Sequence, residues 1–154
     1  MEDNPHFTEL LQMLNGHSVE FLIVGGYAVV KYTEPRFTKD LDVWIRNTPE
    51  NAERVYSALA EFGAPLEADG LTARDFASPD LTYQIGRPPL RVDVITRIDG
   101  VVFQDAWAKK TGGKLAGLDV YFIGLDDLIR NKEASGRWSD VEHLKLLRKQ
   151  TKRN

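Results

Sequence analysis

The chain of 154 residues has no cysteine and only a short apolar run. Without cysteine it can form neither a disulfide nor a thiolate metal site, which favours a reducing, cytoplasmic setting. The longest apolar run, residues 21–30, is interrupted by two glycines and is too short to span a bilayer, so no membrane association is predicted. The N-terminus, Met1-Glu2-Asp3-Asn4, is acidic where a secretory signal peptide would be basic.

The chain also has little net charge, −3, but that charge is unevenly distributed. Residues 130–154 contain 8 Lys or Arg and 3 Asp or Glu, so the preceding part of the chain is acidic. A basic end can contact nucleic acid or an acidic partner. A solvated helix face followed by a frayed tail is the simpler interpretation, and the sequence leaves both open.

Strand and helix patterns alternate along the chain and predict an α/β (α+β) fold. Predicted helices cover residues 7–14, 27–32, 49–62, 103–110 and 125–135, and a last helix begins at the capping-box sequence Ser139-Asp140-Val141-Glu142. Predicted strands cover residues 20–24, 41–45, 81–85, 90–95 and 118–123, the third and fourth forming a hairpin. The polar, glycine-containing residues 111–117 are expected to be a connection. We expect a small mixed β-sheet flanked by helices.

Three aspartates stand in stretches that are otherwise apolar. Asp40 and Asp42 lie in Asp40-Leu-Asp-Val-Trp-Ile45, and Asp93 lies in Leu90-Arg-Val-Asp-Val-Ile95. Strand geometry places Asp40 and Asp42 on one face, roughly 7 Å apart. If the two strands are neighbours, all three carboxylates can converge on one point. Clustered acids in apolar strands need a counter-cation, and Mg²⁺, which takes oxygen ligands from protein and phosphate, is the natural candidate.

Gly25-Gly26 follows a predicted strand and opens a predicted helix. Glycines let backbone N–H groups approach a phosphate, and a helix N-terminus favours negative charge. Such a pair is usually only a turn. Taken with Asp-x-Asp on one strand and a single Asp on a later strand, it indicates phosphate chemistry.

Simpler structural interpretations compete with the metal and phosphate site. Asp40 and Asp42 could lie on the solvated face of an edge strand, and Asp93 could form a salt bridge with Arg91 or Arg36. Asp140 is expected in the first turn of the last helix, where the helix dipole favours it, rather than in a metal site. Three tryptophans are interpreted as core or interface residues: Trp44, Trp107 and Trp138.

These motifs carry a family resemblance. Phe21-Leu-Ile-Val-Gly-Gly-Tyr-Ala-Val-Val30, Arg36-Phe-Thr-Lys-Asp-Leu-Asp-Val43 and Arg91-Val-Asp-Val94 resemble the nucleotidyltransferase superfamily that includes DNA polymerase beta. More narrowly, they resemble minimal bacterial nucleotidyltransferase domains, among them abortive-infection toxins and the lincosamide and aminoglycoside nucleotidyltransferases. Asp127-Leu-Ile-Arg-Asn-Lys-Glu133 and Gly136-Arg-Trp-Ser-Asp140 are similar to a helical segment of the toxin-like members. Many members have Ser where this chain has Gly26.

The resemblance implies a fold, a reaction and a set of site residues. Residues 1–154 would form a single nucleotidyltransferase-like domain with a catalytic core at about 20–95 and a C-terminal helical appendage at about 124–150. A nucleoside monophosphate, AMP above all, would pass from a triphosphate to a hydroxyl. Asp40, Asp42 and Asp93 would be catalytic and hold two Mg²⁺ ions, or Mn²⁺. The expected nucleotide-binding residues are Gly25, Gly26, Arg36, Thr38, Lys39, Lys132 and Arg137.

The acceptor stays open at this stage. A small molecule, a protein or RNA would serve, and the last would suit a toxin of a toxin–antitoxin pair with an antitoxin partner. Residues 96–154 are only enough for a small appendage, so either a homodimer shares the site or the acceptor docks on an open face. A catalytically inactive member that binds a nucleotide or a partner protein is the alternative function. For Lys132 and Arg137, ordinary helix-surface charge is the competing interpretation.

Overall fold

A computed structural model describes residues 5–35, 38, 40–87 and 90–153, and shows a six-stranded mixed sheet with helices packed against it. Strand order is β3-β4-β2-β1-β6-β5. The strands are β1 (Phe21–Val24), β2 (Asp40–Ile45), β3 (Thr82–Arg87), β4 (Leu90–Ile95), β5 (Thr111–Leu115) and β6 (Leu118–Phe122). The helices are α1 (Pro5–Gly16), α2 (Gly25–Tyr32), α3 (Pro49–Phe62), α4 (Phe103–Ala108), α5 (Leu125–Ser135) and α6 (Trp138–Arg153), with a 3₁₀ turn at Ala73–Ala77.

The predicted mixed α/β architecture is confirmed, and the sheet is mixed because its neighbours run both ways. β2 is antiparallel to β1 and parallel to β4, while β3 and β4 form the predicted hairpin. The tip of that hairpin, Pro88-Pro89, lies outside the described residues. β2 is therefore an inner strand, which excludes the edge-strand interpretation of Asp40 and Asp42.

Side-chain alternation along β2 divides the sheet into an apolar and a polar face. Leu41 and Val43 are fully buried, whereas Asp40 and Asp42 are only partly buried on the opposite face. The core includes apolar residues of α1 and α3, such as Leu10. Burying a Leu-sized side chain contributes about 1.5–3 kcal/mol each, so this core fixes which face of β2 the aspartates occupy.

Local capping explains why α3 begins and ends where it does. Pro49 stands at its first turn, and Thr48 Oγ1 accepts a hydrogen bond from the Asn51 N–H at 3.3 Å. Gly63 closes the helix with φ +104°, a left-handed conformation that favours glycine. The buried Asn51 side chain donates to the carbonyls of Glu20 (3.0 Å) and Arg46 (2.8 Å), and so ties α3 to the sheet.

Two sequence expectations differ from the structure. Residues 111–117 are not a plain connection, because Thr111–Leu115 pairs with β6 as an edge strand, joined by a turn in which Ala116 and Gly117 both have positive φ. The last helix begins at Trp138 rather than at the capping box. Trp44 is buried as expected, whereas Trp138 is 80% exposed, which excludes a core position within this chain.

Much of the basic C-terminal charge is paired within the chain. Arg130 pairs with Asp127 at 2.6 Å, and Arg148 pairs with Glu133 at 2.6 Å between α5 and α6. Surface pairs of this kind contribute little to stability, about 0–1 kcal/mol, but they reduce the field available to an anionic partner. In the part of the chain that the structure describes, no helix is long and apolar enough to cross a membrane.

Candidate active site

Strand register brings two of the three aspartates side by side. β2 and β4 pair in parallel, with Asp42 opposite Asp93 and Asp40 opposite Arg91. Directly opposed residues of neighbouring strands point to the same face. Asp40, Asp42 and Asp93 therefore share one face, as the two-residue spacing predicts.

One guanidinium bridges two of these carboxylates. Arg91 Nη2 lies 2.9 Å from Asp40 Oδ2, and Arg91 Nε lies 3.2 Å from Asp93 Oδ1. The salt bridge from Asp93 to Arg91, which the competing interpretation expected, is therefore present. Among the described residues, no three His, Cys, Asp or Glu side chains are grouped closely enough to hold a metal ion. Asp42 and Asp93 thus lie together, whereas Asp40 is turned toward Arg91.

The acidic pair is short of positive charge. Burial raises the pKa of Asp42 to about 7, and the negative charges of Asp93 and Asp40 add to that rise against the opposing charge of Lys132. Burial also raises the pKa of Asp93, although the Arg91 guanidinium opposes the shift. Clustered carboxylates without enough cations disfavour their own ionised forms. This cluster is therefore a place where a further cation would be stabilised.

The Gly25-Gly26 turn touches the same cluster. Gly25 has φ +69°, and a Cβ added there would collide with the Asp42 carboxylate. A Cβ at Gly26 would lie 2.7 Å from Thr38 Cγ2. Because α2 begins at Gly25 without a side-chain cap, its first N–H groups are left for another acceptor. Glycine is required here by close packing as well as by backbone conformation.

A buried aspartate, Asp140, holds Lys132 of α5 and Arg137, which lies between α5 and α6. Both cations also line the cleft that contains the acidic pair. Asp140 is 1% exposed, and its carboxylate lies 2.9 Å from Lys132 Nζ and 3.1 Å from Arg137 Nε. Burial alone would raise the pKa of Asp140, but hydrogen bonds from Ser135 and Lys132, with the Lys132 charge, hold it at about 2. Lys132 is 4% exposed, so its charge is not ordinary helix-surface charge.

A cleft of about 370 Å³ collects most of these groups. Of the residues predicted from sequence, its lining includes Gly25, Asp42, Asp93, Lys132 and Arg137. Asp40, Gly26 and Thr38 are not part of that lining. Asp40 pairs with Arg91, and Thr38 is the residue that a Cβ added at Gly26 would meet. Arg36 and Lys39 lie outside the described residues. The apolar wall contains Val24, Ile95 and Ile98.

Sequence reasoning missed three contributions to this site. Asp140 does stand in the first turn of α6 as expected, but its role in fixing Lys132 was not foreseen. Its spacing from Arg137, three residues across a helix start, is the signal that could have indicated an ion pair. Asn131 and Arg97 also line the cleft, and no pattern in the sequence singles them out.

A comparison with protein families agrees with this geometry. A family model described as "Nucleotidyl transferase of unknown function (DUF2204)" matches residues 4–154, and the chain therefore belongs to that family. The protein is thus an enzyme of the nucleotidyltransferase class, and the resemblance drawn from its motifs is confirmed. The comparison with curated proteins finds no match.

Two solved structures share the fold. A protein from Thermotoga maritima, TM1012, proposed to be a nucleotidyltransferase, superposes with a TM-score of 0.57 at 14% identity, over 96% of this chain and 91% of that one. The lincosamide antibiotic adenylyltransferase LnuA, in a lincomycin-bound structure, superposes with a TM-score of 0.57 at 12% identity, over 94% of this chain and 96% of its own. At these identities the likeness shows the fold alone.

Proposed function

We propose that the protein transfers a nucleoside monophosphate, AMP from ATP, to a hydroxyl of an acceptor. The observation that carries the proposal is the register of Asp42 against Asp93, on one face, beside the N-terminus of α2. Two carboxylates and an uncapped helix N-terminus in one cleft form a place where a polyphosphate and its counter-ions are both stabilised. Membership of the nucleotidyltransferase family supports this assignment.

The chemistry of the donor set fits a divalent cation, provided that Asp40 turns from Arg91 to join Asp42 and Asp93. Asp93 Oδ1 is buried with the Arg91 guanidinium beside it at 3.2 Å, and burial together with the charges of Asp93 and Asp40 raises the pKa of Asp42. Carboxylate oxygens of this kind are the hard ligands that Mg²⁺ and Mn²⁺ take. Asp40, Asp42 and Asp93 would hold the metal, with Asp40 exchanging its ion pair with Arg91 for the cation. When bound, Mg²⁺ would neutralise the charge that develops on the reacting phosphate.

The remaining residues of the site would bind and orient the triphosphate. The N–H groups of Gly25 and Gly26 would hold the β- and γ-phosphates, because they stand at the positive end of α2. Lys132 and Arg137 would contact phosphate oxygens, with Asp140 holding both in place. Thr38, Arg36 and Lys39 stay as proposed nucleotide contacts from the segment before β2.

Proton transfer falls to Asp93 in this proposal. Burial raises the pKa of its carboxyl, which makes it a better proton acceptor than an exposed aspartate. It would take the proton from the acceptor hydroxyl as that oxygen attacks the α-phosphate and pyrophosphate leaves. Positioning and charge neutralisation would supply most of the acceleration, as is general for phosphoryl and nucleotidyl transfer.

The test is pyrophosphate release with each nucleoside triphosphate, Mg²⁺ and a cell extract as the source of acceptor. Asp42→Asn and Asp93→Asn should each lower the rate on the order of 100-fold or more, because each removes charge where charge develops. Glu53→Gln is the matched control, since Glu53 is exposed on α3. Full activity in Asp42→Asn would refute the proposal.

The bridging position of Arg91 favours a second candidate function, nucleotide binding without transfer. The Arg91 guanidinium already supplies part of the positive charge that a bound metal would otherwise bring to Asp40 and Asp93. A protein of this kind would bind ATP in the presence of Mg²⁺, measured by calorimetry, yet release no pyrophosphate with any acceptor fraction. Release of pyrophosphate that depends on Asp42 would exclude it.

A further inference from the structure

The candidate active site combines groups from two parts of the chain whose spacing matters for the proposed reaction. Asp42 and Asp93 stand on the sheet, whereas Lys132 belongs to α5, and all three line the same cleft. In group-transfer reactions a misplacement of about 1 Å can cost on the order of 100-fold in rate. Contacts that fix α5 against the strand of Asp93 therefore bear on the reaction.

The segment that follows β4, residues 96–101, is fixed at its start beside β3. The Thr96 N–H donates to the Leu81 carbonyl at 3.0 Å, and Thr96 Oγ1 accepts a hydrogen bond from the Leu81 N–H at 2.8 Å. A bridge between Ile98 and Val101 closes the tip of the segment into a tight turn. The segment is therefore an ordered extension of β4.

The tip of this segment is held by α5. Asn131 Nδ2 donates a hydrogen bond to the Asp99 carbonyl at 2.9 Å. Gly100, the next residue, has φ +77° and packs so closely on α5 that an added Cβ would lie 2.6 Å from the Ala134 Cβ. Together, the Asn131–Asp99 hydrogen bond and the packing of Gly100 on Ala134 form a clamp between the segment and α5.

The clamp lies in the wall of the candidate active site. Asn131 and Asp99 both line the cleft, and Asn131 directly precedes Lys132 on α5. On the other side, the clamped segment begins three residues after Asp93. The clamp therefore joins the element that carries a carboxylate of the site to the element that carries its buried cation.

Other contacts keep α5 folded without the clamp. Leu128 of α5 is fully buried in the core, and Lys132 is held by Asp140 of α6 at 2.9 Å. Loss of the clamp should leave the helix folded and its lysine paired. What should change is the position of α5 relative to the segment after β4, and with it the spacing across the cleft.

We propose that Asn131 is a positioning residue for nucleotidyl transfer, because the clamp sets the spacing between Asp93 and Lys132. Asn131 acts through the Asp99 carbonyl rather than on the substrate. The inference rests on the proposed function, since it assigns a further residue to the same reaction.

The test removes the donor and compares it with a bond of the same kind elsewhere. Asn15→Ala is the matched control, because Asn15 Nδ2 also donates to a distant carbonyl, that of Asp119 at 3.0 Å, and Asn15 is not among the residues that line the cleft. Apparent kcat and KM for ATP are measured with α-labelled ATP, Mg²⁺ and a fixed amount of cell extract, well below the Tm of each protein. Asn131→Ala should lower apparent kcat ~10-fold or more, and Asn15→Ala should stay near wild type. The Kd for ATP, measured by calorimetry, should stay near that of wild type in both.

A second arm separates positioning from a loss of stability. Gly100→Ala should also lower apparent kcat, because the new Cβ pushes the segment away from Ala134. Gly70→Ala is its control, since Gly70 has φ +73° and no neighbour within 4 Å of an added Cβ. In Gly100→Ala/Ala134→Gly the obstructing Cβ is gone, so part of the lost rate should return. Its Tm should not return, because alanine is strained at positive φ and glycine weakens a helix. A role in folding alone predicts that rate and Tm move together.

Three results would overturn the inference alone. The first is an apparent kcat of Asn131→Ala near that of wild type. The second is a loss of ATP affinity that accounts for the whole effect, which would make Asn131 a binding residue. The third is a rate loss in Gly100→Ala that Ala134→Gly does not relieve. Absence of transfer by the wild-type protein removes the proposed function, and the inference with it, so the two failures are distinguishable.

Discussion

Asp140→Asn tests whether the buried carboxylate holds Lys132 in place. The substitution keeps the shape and removes the charge, and leaves the 4%-exposed Lys132 without its buried counter-ion. The pKa of Asp140 is lowered from 3.8 to about 2, which corresponds to about 2 kcal/mol of stability at neutral pH. Breaking a buried ion pair by removing one partner costs about 3–5 kcal/mol in other proteins, so a loss of about 2–4 kcal/mol is expected.

The loss should depend on pH in a defined direction. Because the folded-state pKa of Asp140 is depressed, its contribution is fully present above the unfolded pKa and is lost as pH falls toward about 2. The difference in free energy of unfolding between wild type and Asp140→Asn should therefore shrink by about half between pH 7 and pH 3. Urea unfolding, followed by circular dichroism at several pH values, measures this directly.

Two further variants separate the ion pair from general damage. Glu133→Gln removes an acid from the exposed pair with Arg148 on the same two helices, and should cost less than about 1 kcal/mol. In Lys132→Met/Asp140→Asn the loss should be smaller than the sum of the single losses, because no buried charge is left unpaired. A loss below about 0.5 kcal/mol for Asp140→Asn at pH 7, or a loss that does not change with pH, would refute the reasoning.

Three other predictions concern the cleft itself. Gly25→Ala should destabilise the fold by about 1–3 kcal/mol more than Gly70→Ala, because both glycines have positive φ but only the Gly25 site would press a Cβ on Asp42; equal urea-unfolding losses would contradict this. Above pH 7 in metal-free buffer, Asp42→Asn should raise the free energy of unfolding by at least about 1 kcal/mol. Folding raises the pKa of Asp42 from 3.8 to about 7, so ionisation of this carboxyl opposes folding as the pH rises between those values. Unchanged stability of the variant at pH 8 would count against this prediction. Arg91→Gln should lower Tm in metal-free buffer, since Asp40 and Asp93 lose their shared guanidinium, and Mg²⁺ should restore it; a Tm that Mg²⁺ leaves unchanged would argue against a metal at these carboxylates.

The inner strands and the aspartate face were predictable because local pattern and burial agree there. Leu41 and Val43 alternate with the aspartates, so the period of two assigns the polar face before any contact is known. The pairing of β2 with β4 brings Asp42 beside Asp93, a step that the sequence could only assume.

The edge strand β5 was not predictable for the opposite reason. Thr111-Gly-Gly-Lys-Leu115 has low β-propensity, and it is a strand because it pairs with β6 through a two-residue turn. Its Gly113 is explained only by packing, since a Cβ there would lie 2.9 Å from both the Phe122 ring and Lys31 Nζ. Tertiary pairing overrides local preference at this position.

Long-range ion pairs likewise escape the sequence. Lys132 and Asp140 belong to different helices separated by Gly136, whose left-handed φ of +62° ends α5 and redirects the chain. Only the packing of α5 against α6 shows that both side chains are buried. From composition, this basic segment is interpreted as a solvated face or an anion-binding surface. In the structure, the packing of α5 against α6 instead holds Lys132 in the lining of the cleft.

Transfer of the α-phosphate is the central claim, and parallel reactions with ATP labelled at the α- or the γ-phosphate test it most directly. In each, wild-type protein, Mg²⁺ and a cell extract are incubated, and the labelled products are separated. We predict that α-label enters an acceptor, that γ-label appears in pyrophosphate, and that both are lost in Asp42→Asn. Entry of γ-label into the acceptor, or α-label transfer that persists in Asp42→Asn, would contradict nucleotidyl transfer at this site.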